Sequence, residues 1–443
     1  MTRTTTAIPG RRLHYAWVVA GVAFVALVGA AGFRAAPGPL MVPLHDELGW
    51  STTTLSAAVS VNLVLYGLTA PFAAALMDRF GVRRVVSVAL VLIAAGAALS
   101  TLARQAWQLT LTWGLLIGLG TGSMALVFAA TIANRWFVRR RGLVLGILTA
   151  GGAAGQLIFL PIVAYLAETT GWRSASLLIA GVALAVVPLV ILLLRDQPAD
   201  LGLAPYGGTT VQPTPPATGN AAARALSALG MAAHHRSFWA LAAAFGICGA
   251  TTNGLVGIHF IPSAHDHGMP TTTAAGLLAV VGVFDIAGTI ASGWLTDRIR
   301  PQLLLLGYYA FRGVGLLVLP WLLSASLHPS IVVFVVVYGL DWVATVPPTV
   351  TLCRTLFGER GTIVFGWVFA AHQLGAATAA LAAGIVRDTF GSYYWAWIGG
   401  AALCGIAAVL SVATRAAGPS PSSGPPADPQ PLPTAAAAAE LTP

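Results

Sequence analysis

Twelve apolar stretches of about 20 residues follow one another along this chain of 443 residues. An α-helix needs about 20 apolar residues to cross the ~30 Å hydrocarbon core of a bilayer. The composition agrees, because 57% of the residues are hydrophobic and 8% are charged, against about 25% charged in ordinary soluble domains. We therefore predict an all-α membrane protein with spans at residues 15–40, 52–76, 84–103, 108–132, 142–166, 173–194, 238–261, 273–295, 302–323, 330–352, 362–386 and 393–414.

Polar segments divide these spans into two groups of six. A basic lead (1–13) precedes an N-terminal six-helix bundle (14–194), and a linker (195–236) leads to a C-terminal six-helix bundle (237–414). The linker and the tail (415–443) are rich in Pro, Ser, Thr and Ala. Such segments bury too little apolar surface to fold alone, so we predict a flexible linker and a disordered tail.

Two charged turns occur twice in the chain at one spacing. Asp78-Arg79 recurs as Asp297-Arg298, and Arg141-Gly142 recurs after the same interval as Arg360-Gly361. We call this interval, from position 78 to position 297, the repeat interval. A duplicated unit about half the chain long accounts for both pairs. Two such units lying side by side form the ground plan of many secondary transporters.

The arginines predict how the chain is oriented. All 23 basic residues are Arg, and with the N-terminus inside, eighteen of them lie in cytoplasmic segments and three in outer segments. Cytoplasmic segments carry an excess of basic residues, so both termini are expected in the cytoplasm. We expect a multi-pass protein of the plasma membrane, the inner membrane of a bacterium.

The turn between spans two and three resembles the conserved loop of the major facilitator superfamily. AALMDRFGVRR has Ala74 where that loop begins with Gly, but the acidic, basic and later glycine positions agree. The resemblance implies a charge latch between the two halves; a solvated turn that sets topology is the alternative. The latch residues would be Asp78, Arg79, Arg83, Arg84, Asp297 and Arg298.

Within that superfamily, the start of span five is similar to a signature of the monocarboxylate transporters. The pattern also fits the oxalate/formate antiporters, and the first-span signature is matched only by Trp17. The matching residues are Trp136, Phe137, Arg139, Arg140, Leu143, Gly146, Gly151 and Gly155.

Span eight extends this resemblance but also departs from it. Asp285 matches the aspartate that handles protons in that family, whereas Thr289 stands where the family has an arginine. Gly38 lies near the position of the family's first-span lysine. Two substrate-binding cations are therefore missing from their usual places.

Few ionisable residues lie at membrane depth, where each costs roughly 2.5–3.5 kcal/mol on insertion scales and is a functional candidate. Arg34 precedes Pro37 and Pro39, which loosen the helix end and free backbone groups to face a cavity. We expect Arg34 to anchor an anionic substrate; snorkelling to the outer interface is the alternative.

Arg312 and Asp341 lie on adjacent spans and are expected to form a buried ion pair, either structural or part of the substrate site. Asp285 is the expected proton-coupling group. The remaining substrate-binding candidates are polar and lie within the spans, namely Asn62, Tyr66, Asn253, His372 and Gln373. Asn134, Gln156, Tyr165 and Tyr338 could line the same cavity.

These residues predict a secondary transporter that moves a small, monocarboxylate-like organic anion by alternating access, coupled to protons. Anion:anion antiport and multidrug or metabolite efflux are the alternatives, although the first six spans contain no acid to bind a cationic drug. No set of catalytic residues and no phosphate-binding GxxxxGK[ST] motif occurs, so we expect neither an enzyme nor ATP drive. A receptor or scaffold is a further alternative. We expect no cofactor, no metal and no nucleic acid, and a functional monomer whose partners are the anion, protons and lipid.

Overall fold

The computed structural model describes residues 14–124, 126–211 and 221–414. The predicted basic lead, the predicted disordered tail and residues 212–220 of the predicted linker lie outside the described residues. The described part is helical and contains no β-strand beyond one isolated bridge between Phe137 and Tyr206. An apolar chain in lipid satisfies its backbone hydrogen bonds within each helix, so this architecture follows from the composition.

The described residues include twelve long helices, and the prediction of an all-α, twelve-span protein is confirmed. They are α1 (Tyr15–Arg34 and Pro37–Leu48), α2 (Thr52–Phe80), α3 (Val82–Ser100), α4 (Ala106–Leu109, Thr110–Ile117, Gly118–Ser123 and Leu126–Trp136), α5 (Arg141–Thr169), α6 (Trp172–Leu193), α7 (Arg236–Gly249, Ala250–Val256 and Gly257–Asp266), α8 (Thr271–Thr296), α9 (Pro301–Leu322), α10 (Pro329–Asp341 and Val346–Phe357), α11 (Gly361–Phe390) and α12 (Tyr394–Ala413).

Length and composition allow all of these helices to cross a membrane. The described residues form eleven continuous helical stretches that are long and apolar enough, and one of them, Pro329–Phe390, contains both α10 and α11. The helices begin at or very near their predicted starts. Their ends also agree closely except in α1, which continues to Leu48.

The two halves have similar helix lengths and share two of their irregularities. Matching helices of the two halves begin at nearly the repeat interval. After that interval, the break in α1 at positions 35–36 corresponds to the π-helical segment Ala250–Val256 of α7. The turn at Met124 in α4 corresponds to the break at 342–345 in α10. Departures from regular helix often mark functional regions. The second unit repeats these two, whereas the π-helical segment Thr110–Ile117 of α4 corresponds to regular helix in α10.

The halves meet along two seams. Helix α2 packs against α11, and α5 packs against α8. We call the ends of the helices near the linker the linker face. Its described connections lie at 81, 137–140, 194–211, 234–235, 297–300 and 358–360. The other ends form the opposite face, with turns at 49–51, 101–105, 170–171, 267–270, 323–328 and 391–393.

The linker is structured where it is described, which differs from the flexible segment that we predict from composition. Its first part returns to the α4–α5 turn, where Tyr206 N donates to the Trp136 carbonyl over 2.8 Å and the ring of Trp17 lies 5.7 Å from that of Tyr206. A linker helix (Ala221–Ala233) packs on α2, α7 and α11. The indole of Trp367 donates to the Ala225 carbonyl at 2.8 Å, which fixes the linker helix to α11. Helix propensity from alanine and these contacts outweigh the effect of polar composition.

Candidate functional site

A small cavity lies between the two halves, near the middle of the helices that line it. Its volume is about 50 Å³, which is enough to hold water. Both halves contribute polar groups to it. The polar lining comes from Arg34, Asn62, Tyr66, Gln156, Asn253 and Gln373, and the apolar lining includes Phe33, Val59, Ile258 and Trp342.

Arg34 is the one basic residue that lines this cavity within the described part of the chain. It ends the first segment of α1, where Pro37 begins the second segment and prevents the helix from continuing unbroken. Its guanidinium carbon lies 5.5 Å from the ring centroid of Tyr66, a cation–π contact. None of the four ion pairs among the described residues includes Arg34. The guanidinium therefore retains its donors for an anion or for water.

The space beside Arg34 depends on a glycine of α5. A Cβ atom at Gly152 would stand 3.7 Å from Arg34 Nη1, so any larger side chain there would compete with the guanidinium for the same space. The corresponding region of α11 carries His372 and Gln373 instead. The N-terminal half therefore leaves space for the guanidinium at Gly152, whereas the C-terminal half has larger polar side chains in the corresponding region of α11.

Four of the other predicted substrate-binding residues lie at this cavity. Asn62 and Tyr66 come from α2, Asn253 from the π-helical segment of α7 and Gln373 from α11. Asn62 is held in place because its Nδ2 donates to the Trp113 carbonyl at 2.7 Å. Gln373 is 1% exposed, and its Oε1 has no hydrogen-bond partner among the described residues.

His372 is not among the residues that line this cavity, contrary to our expectation. Its ring stacks on Phe369 at a centroid distance of 5.7 Å and lies 4.8 Å from the ring of Phe245. Its Nδ1 has no hydrogen-bond partner within the described residues. The imidazole thus fills the contact between α7 and α11 rather than the cavity wall.

The wider group of polar candidates divides in the same way. Gln156 lines the cavity, whereas Tyr338 is buried and donates to the Thr251 carbonyl at 2.8 Å. Tyr165 is 60% exposed on the outside of α5, and Asn134 is exposed near the linker face. Sequence composition could not separate these residues, because helices that are apolar on all sides have no distinguishing period.

Asp285 lies beside this cavity and not in it. It lines a second, smaller cavity of about 20 Å³, which Ala153 and Val281 also line. Gln156 and Trp342 line both spaces and stand between them. Asp285 Oδ1 accepts from Thr289 Oγ1 at 3.1 Å and from the Val343 N–H at 3.0 Å. The threonine that replaces the family's arginine is therefore a hydrogen-bond donor to this aspartate.

Arg312 and Asp341 form a buried ion pair that lines neither space. Arg312 Nε lies 2.7 Å from Asp341 Oδ2, and Arg312 Nη2 donates to the Asp341 carbonyl at 2.7 Å. Nη1 contacts Cys248 Sγ at 2.9 Å. The guanidinium thus caps the broken end of the first α10 segment and joins α7, α9 and α10.

The charged turns of the linker face make their contacts within their own half or with the linker. Asp78 Oδ1 pairs with Arg135 Nη2 at 2.6 Å, and the Arg83 N–H donates to Asp196 Oδ1 at 2.9 Å. Arg298 lies over the ring of Trp294 at 3.9 Å, and no ion pair in the described residues includes Asp297. The expected latch residues, Asp78, Arg79, Arg83, Arg84, Asp297 and Arg298, therefore form no ion pair or side-chain hydrogen bond between the described parts of the two halves.

Comparisons with known proteins agree with this architecture. Residues 22–365 match the model of the Major Facilitator Superfamily. The chain is 29% identical to monocarboxylate transporter 11 of Mus musculus over 394 residues, which cover 86% of this chain and 83% of that protein. It is 24% identical to the uncharacterized MFS-type transporter YcxA of Bacillus subtilis (strain 168), with 85% of this chain and 90% of that protein covered.

A solved structure supports the fold. The crystal structure of a bacterial homologue of the human lysosomal transporter Spinster, inward-facing and unoccupied, superimposes with a TM-score of 0.65 at 14% identity. The match covers 91% of this chain and 96% of that one. The relatives are transporters and not enzymes. The chain therefore belongs to the major facilitator superfamily, and within it this multi-pass membrane transporter is related to the monocarboxylate transporters.

Proposed function

We propose that this transporter carries a small organic anion across the membrane by alternating access of its two halves. The observation that carries the proposal is Arg34, a guanidinium in a cavity between the halves with no carboxylate paired to it among the described residues. The guanidinium is exposed to the cavity and keeps its donors free, so an anionic substrate could bind it through charge-assisted hydrogen bonds. The size of the cavity favours a compact carboxylate, and the amides of Asn62, Asn253 and Gln373 supply further hydrogen bonds.

Protons are the proposed coupling ion, with Asp285 as the group that carries them. Asp285 is 8% exposed and is separated from the Arg34 cavity by Gln156 and Trp342. A carboxylate next to the anion site, but not in contact with Arg34, can gain or lose a proton without being neutralised by that cation. The linker face is proposed to be cytoplasmic because most arginines lie in its segments. One chain supplies every residue around the cavity, so a monomer would suffice.

Anion exchange is the second candidate, and the same separation supports it. If Asp285 does not exchange protons during the cycle, the cavity still offers one cation to one anion at a time. Export of cationic drugs is disfavoured by the guanidinium of Arg34, which would repel a second cation.

Counterflow into proteoliposomes tests the proposal. Purified protein would be assayed with labelled lactate, pyruvate, oxalate and larger carboxylates, with and without a pH gradient. Arg34→Ala is expected to reduce anion uptake about 10- to 100-fold, the factor that corresponds to losing a charge-assisted hydrogen bond. Arg34→Lys should fall between, because it keeps the charge and loses the planar fork. Arg104→Ala is the matched control, since Arg104 is an exposed arginine in the turn between α3 and α4.

Asp285→Asn separates the two forms of the proposal. Proton-coupled transport predicts that this variant keeps anion counterflow and loses acceleration by a pH gradient. Unchanged coupling would reject the role of Asp285, and a wild-type protein indifferent to pH gradients would favour anion exchange. Arg34→Ala with wild-type uptake and anion preference would refute the anchor.

A further inference from the structure

Two acidic side chains at the opposite face reach across the seams between the halves. Asp388, near the end of α11, accepts from the N–H groups of Thr52 and Thr53 at 3.1 and 2.7 Å. Glu168, near the end of α5, accepts from the N–H of Thr272 at 2.9 Å. Each carboxylate therefore binds the first turn of a helix that belongs to the other half.

The two contacts are copies of each other. Thr53 and Thr272 are separated by the repeat interval, and Glu168 and Asp388 are separated by that interval plus a single position. One contact closes the α2–α11 seam and the other closes the α5–α8 seam. The same contact crosses the interface at both equivalent positions. It therefore follows from the repeated structure and not from the chance placement of one side chain.

The position of each acid is unfavourable for its own helix and favourable for the helix that it contacts in the other half. A carboxylate near a helix C-terminus faces the negative end of that helix's dipole, which is unfavourable. Near a foreign N-terminus it meets unpaired N–H groups and the positive end of the dipole. Helix α8 has Pro270 at its N-cap, with no side chain that could accept from the first turn. Glu168 supplies that acceptor from across the seam.

The two faces differ in these contacts. Besides the acidic contacts, Ser60 Oγ donates to the Ala377 carbonyl at 2.8 Å in the α2–α11 seam. Toward the linker face, the same seam holds the ring contact between Phe72 and Trp367, at 5.9 Å. Among the described residues, the side-chain hydrogen bonds that join the two halves directly lie away from the linker face. The side-chain hydrogen bonds that hold the two halves together therefore lie mainly toward the opposite face.

We propose that Glu168 and Asp388 are paired gate residues, which hold the opposite face closed and must release their helix N-termini before that face can open. The proposal rests on the alternating-access cycle proposed above. Each gate contact joins rigid helices from different halves, so rocking of one half against the other must break both hydrogen-bonded contacts. Both carboxylates bind backbone N–H groups, and Asp388 is also hydrogen-bonded by the side chains of Ser51 and Thr53, so the two acids are the positions at which substitution removes a whole contact.

Distance measurements across the opposite face test the gate without requiring a known substrate. Spin labels would be placed at Leu102→Cys and Leu327→Cys, exposed positions at the ends of α3 and α9 in different halves. The three native cysteines are buried, so they can be kept. Double electron–electron resonance would then report the distance distribution between the labels in the full-length, detergent-purified protein.

Glu168→Ala and Asp388→Ala are each expected to raise the ratio of long to short distances about fivefold, the factor for one net hydrogen bond. The double variant should raise it further. Glu168→Gln and Asp388→Asn, which keep a neutral acceptor, should give smaller shifts. Glu47→Ala is the matched control, because Glu47 pairs with Arg173 on the same face but inside one half. Its distribution should equal that of the parent.

The outcomes separate the gate from the transport proposal. A double variant with the parental distance distribution would overturn the gate. If the alanine variants do not purify as monodisperse protein, the glutamine and asparagine variants decide by the same comparison. A clear shift together with absent anion counterflow would uphold the gate and reject the proposed substrate. A shift of equal size in Glu47→Ala would assign the effect to loss of surface charge and would also overturn the gate.

Discussion

Arg34 in α1 corresponds, at the repeat interval, to Asn253 in α7, and Tyr66 in α2 corresponds to Asp285 in α8. Two of the backbone irregularities recur between the halves, but charged side chains within the spans do not. The N-terminal half supplies the cation of the central cavity, and the C-terminal half supplies both acids at membrane depth. A duplicated scaffold can therefore hold a site that is asymmetric in charge.

Arg34 of the N-terminal half and Arg312 of the C-terminal half also differ in their surroundings. Arg34 is exposed to a cavity and has no carboxylate partner among the described residues, whereas Arg312 is 1% exposed and is held by Asp341, Cys248 and two backbone carbonyls. Each lies in a span where an ionised group is costly. What separates them is the completeness of their hydrogen bonding. The protein itself satisfies the hydrogen-bond donors of Arg312, whereas the donors of Arg34 are available to a bound ligand or to water.

The largest expected effect follows from removing one partner of the buried pair. Arg312→Met leaves Asp341 without a cation and opens the cap of the broken α10, which we expect to destabilise the fold by about 3–5 kcal/mol. Arg34→Met should leave stability unchanged, because no carboxylate of the described residues depends on it. The monodisperse fraction after detergent extraction and the apparent melting temperature would measure both.

A double variant sharpens this test. Arg312→Met with Asp341→Leu removes both charges and should recover part of the lost stability, since an apolar pair avoids the unpaired carboxylate. If Arg312→Met and Arg34→Met lost equal stability, the fold would depend equally on the two arginines and the comparison would be wrong.

Much of the fold was predictable from the sequence, because it depends on local patterns. Apolar length set the twelve helices, and the spacing of Asp78 and Asp297 revealed the repeat. The residues near the cavity were partly predictable, since a charge such as Arg34 in an apolar span has few places to lie. These inferences need no knowledge of which helix faces which.

The remaining features depend on contacts between distant helices. His372 and Asn62 are both polar residues in apolar helices, and only packing against Phe245 or Trp113 separates them. Glu168 and Asp388 resemble ordinary acids at helix ends in the sequence. Their spacing, close to the repeat interval, was a signal that could have found them, had acids at span ends been compared between repeats. The linker helix was missed because its composition alone resembles a flexible segment.

A second prediction concerns glycines that occupy matching positions in α5 and α11. A Cβ at Gly155 would stand 2.6 Å from Ala31 Cβ of α1, and a Cβ at Gly375 would overlap the Gly246 carbonyl of α7. Both helices therefore approach their neighbours closely through glycine. We expect Gly155→Ala and Gly375→Ala each to destabilise the protein by about 1–3 kcal/mol, the usual cost of overpacking.

Glycines nearer the start of the same two helices provide the control. No atom lies within 4 Å of a Cβ built at Gly146 or Gly366, so alanine fits there and favours the helix. Thermal unfolding of the four variants would compare the halves directly. If Gly146→Ala destabilised the protein as much as Gly155→Ala, close packing would not be the reason for these glycines.

The smallest expected effect distinguishes the charged turns of the two halves. Asp78 pairs with Arg135, and both are partly exposed, so Asp78→Asn should destabilise the N-terminal half by about 0.2–1 kcal/mol. Asp297 is exposed and has no ion pair among the described residues, so Asp297→Asn should leave thermal stability unchanged. High salt should reduce the difference between the two variants, because screening weakens an exposed pair. A larger loss for Asp297→Asn would mean that the C-terminal turn, and not the N-terminal one, carries the stabilising charge contact.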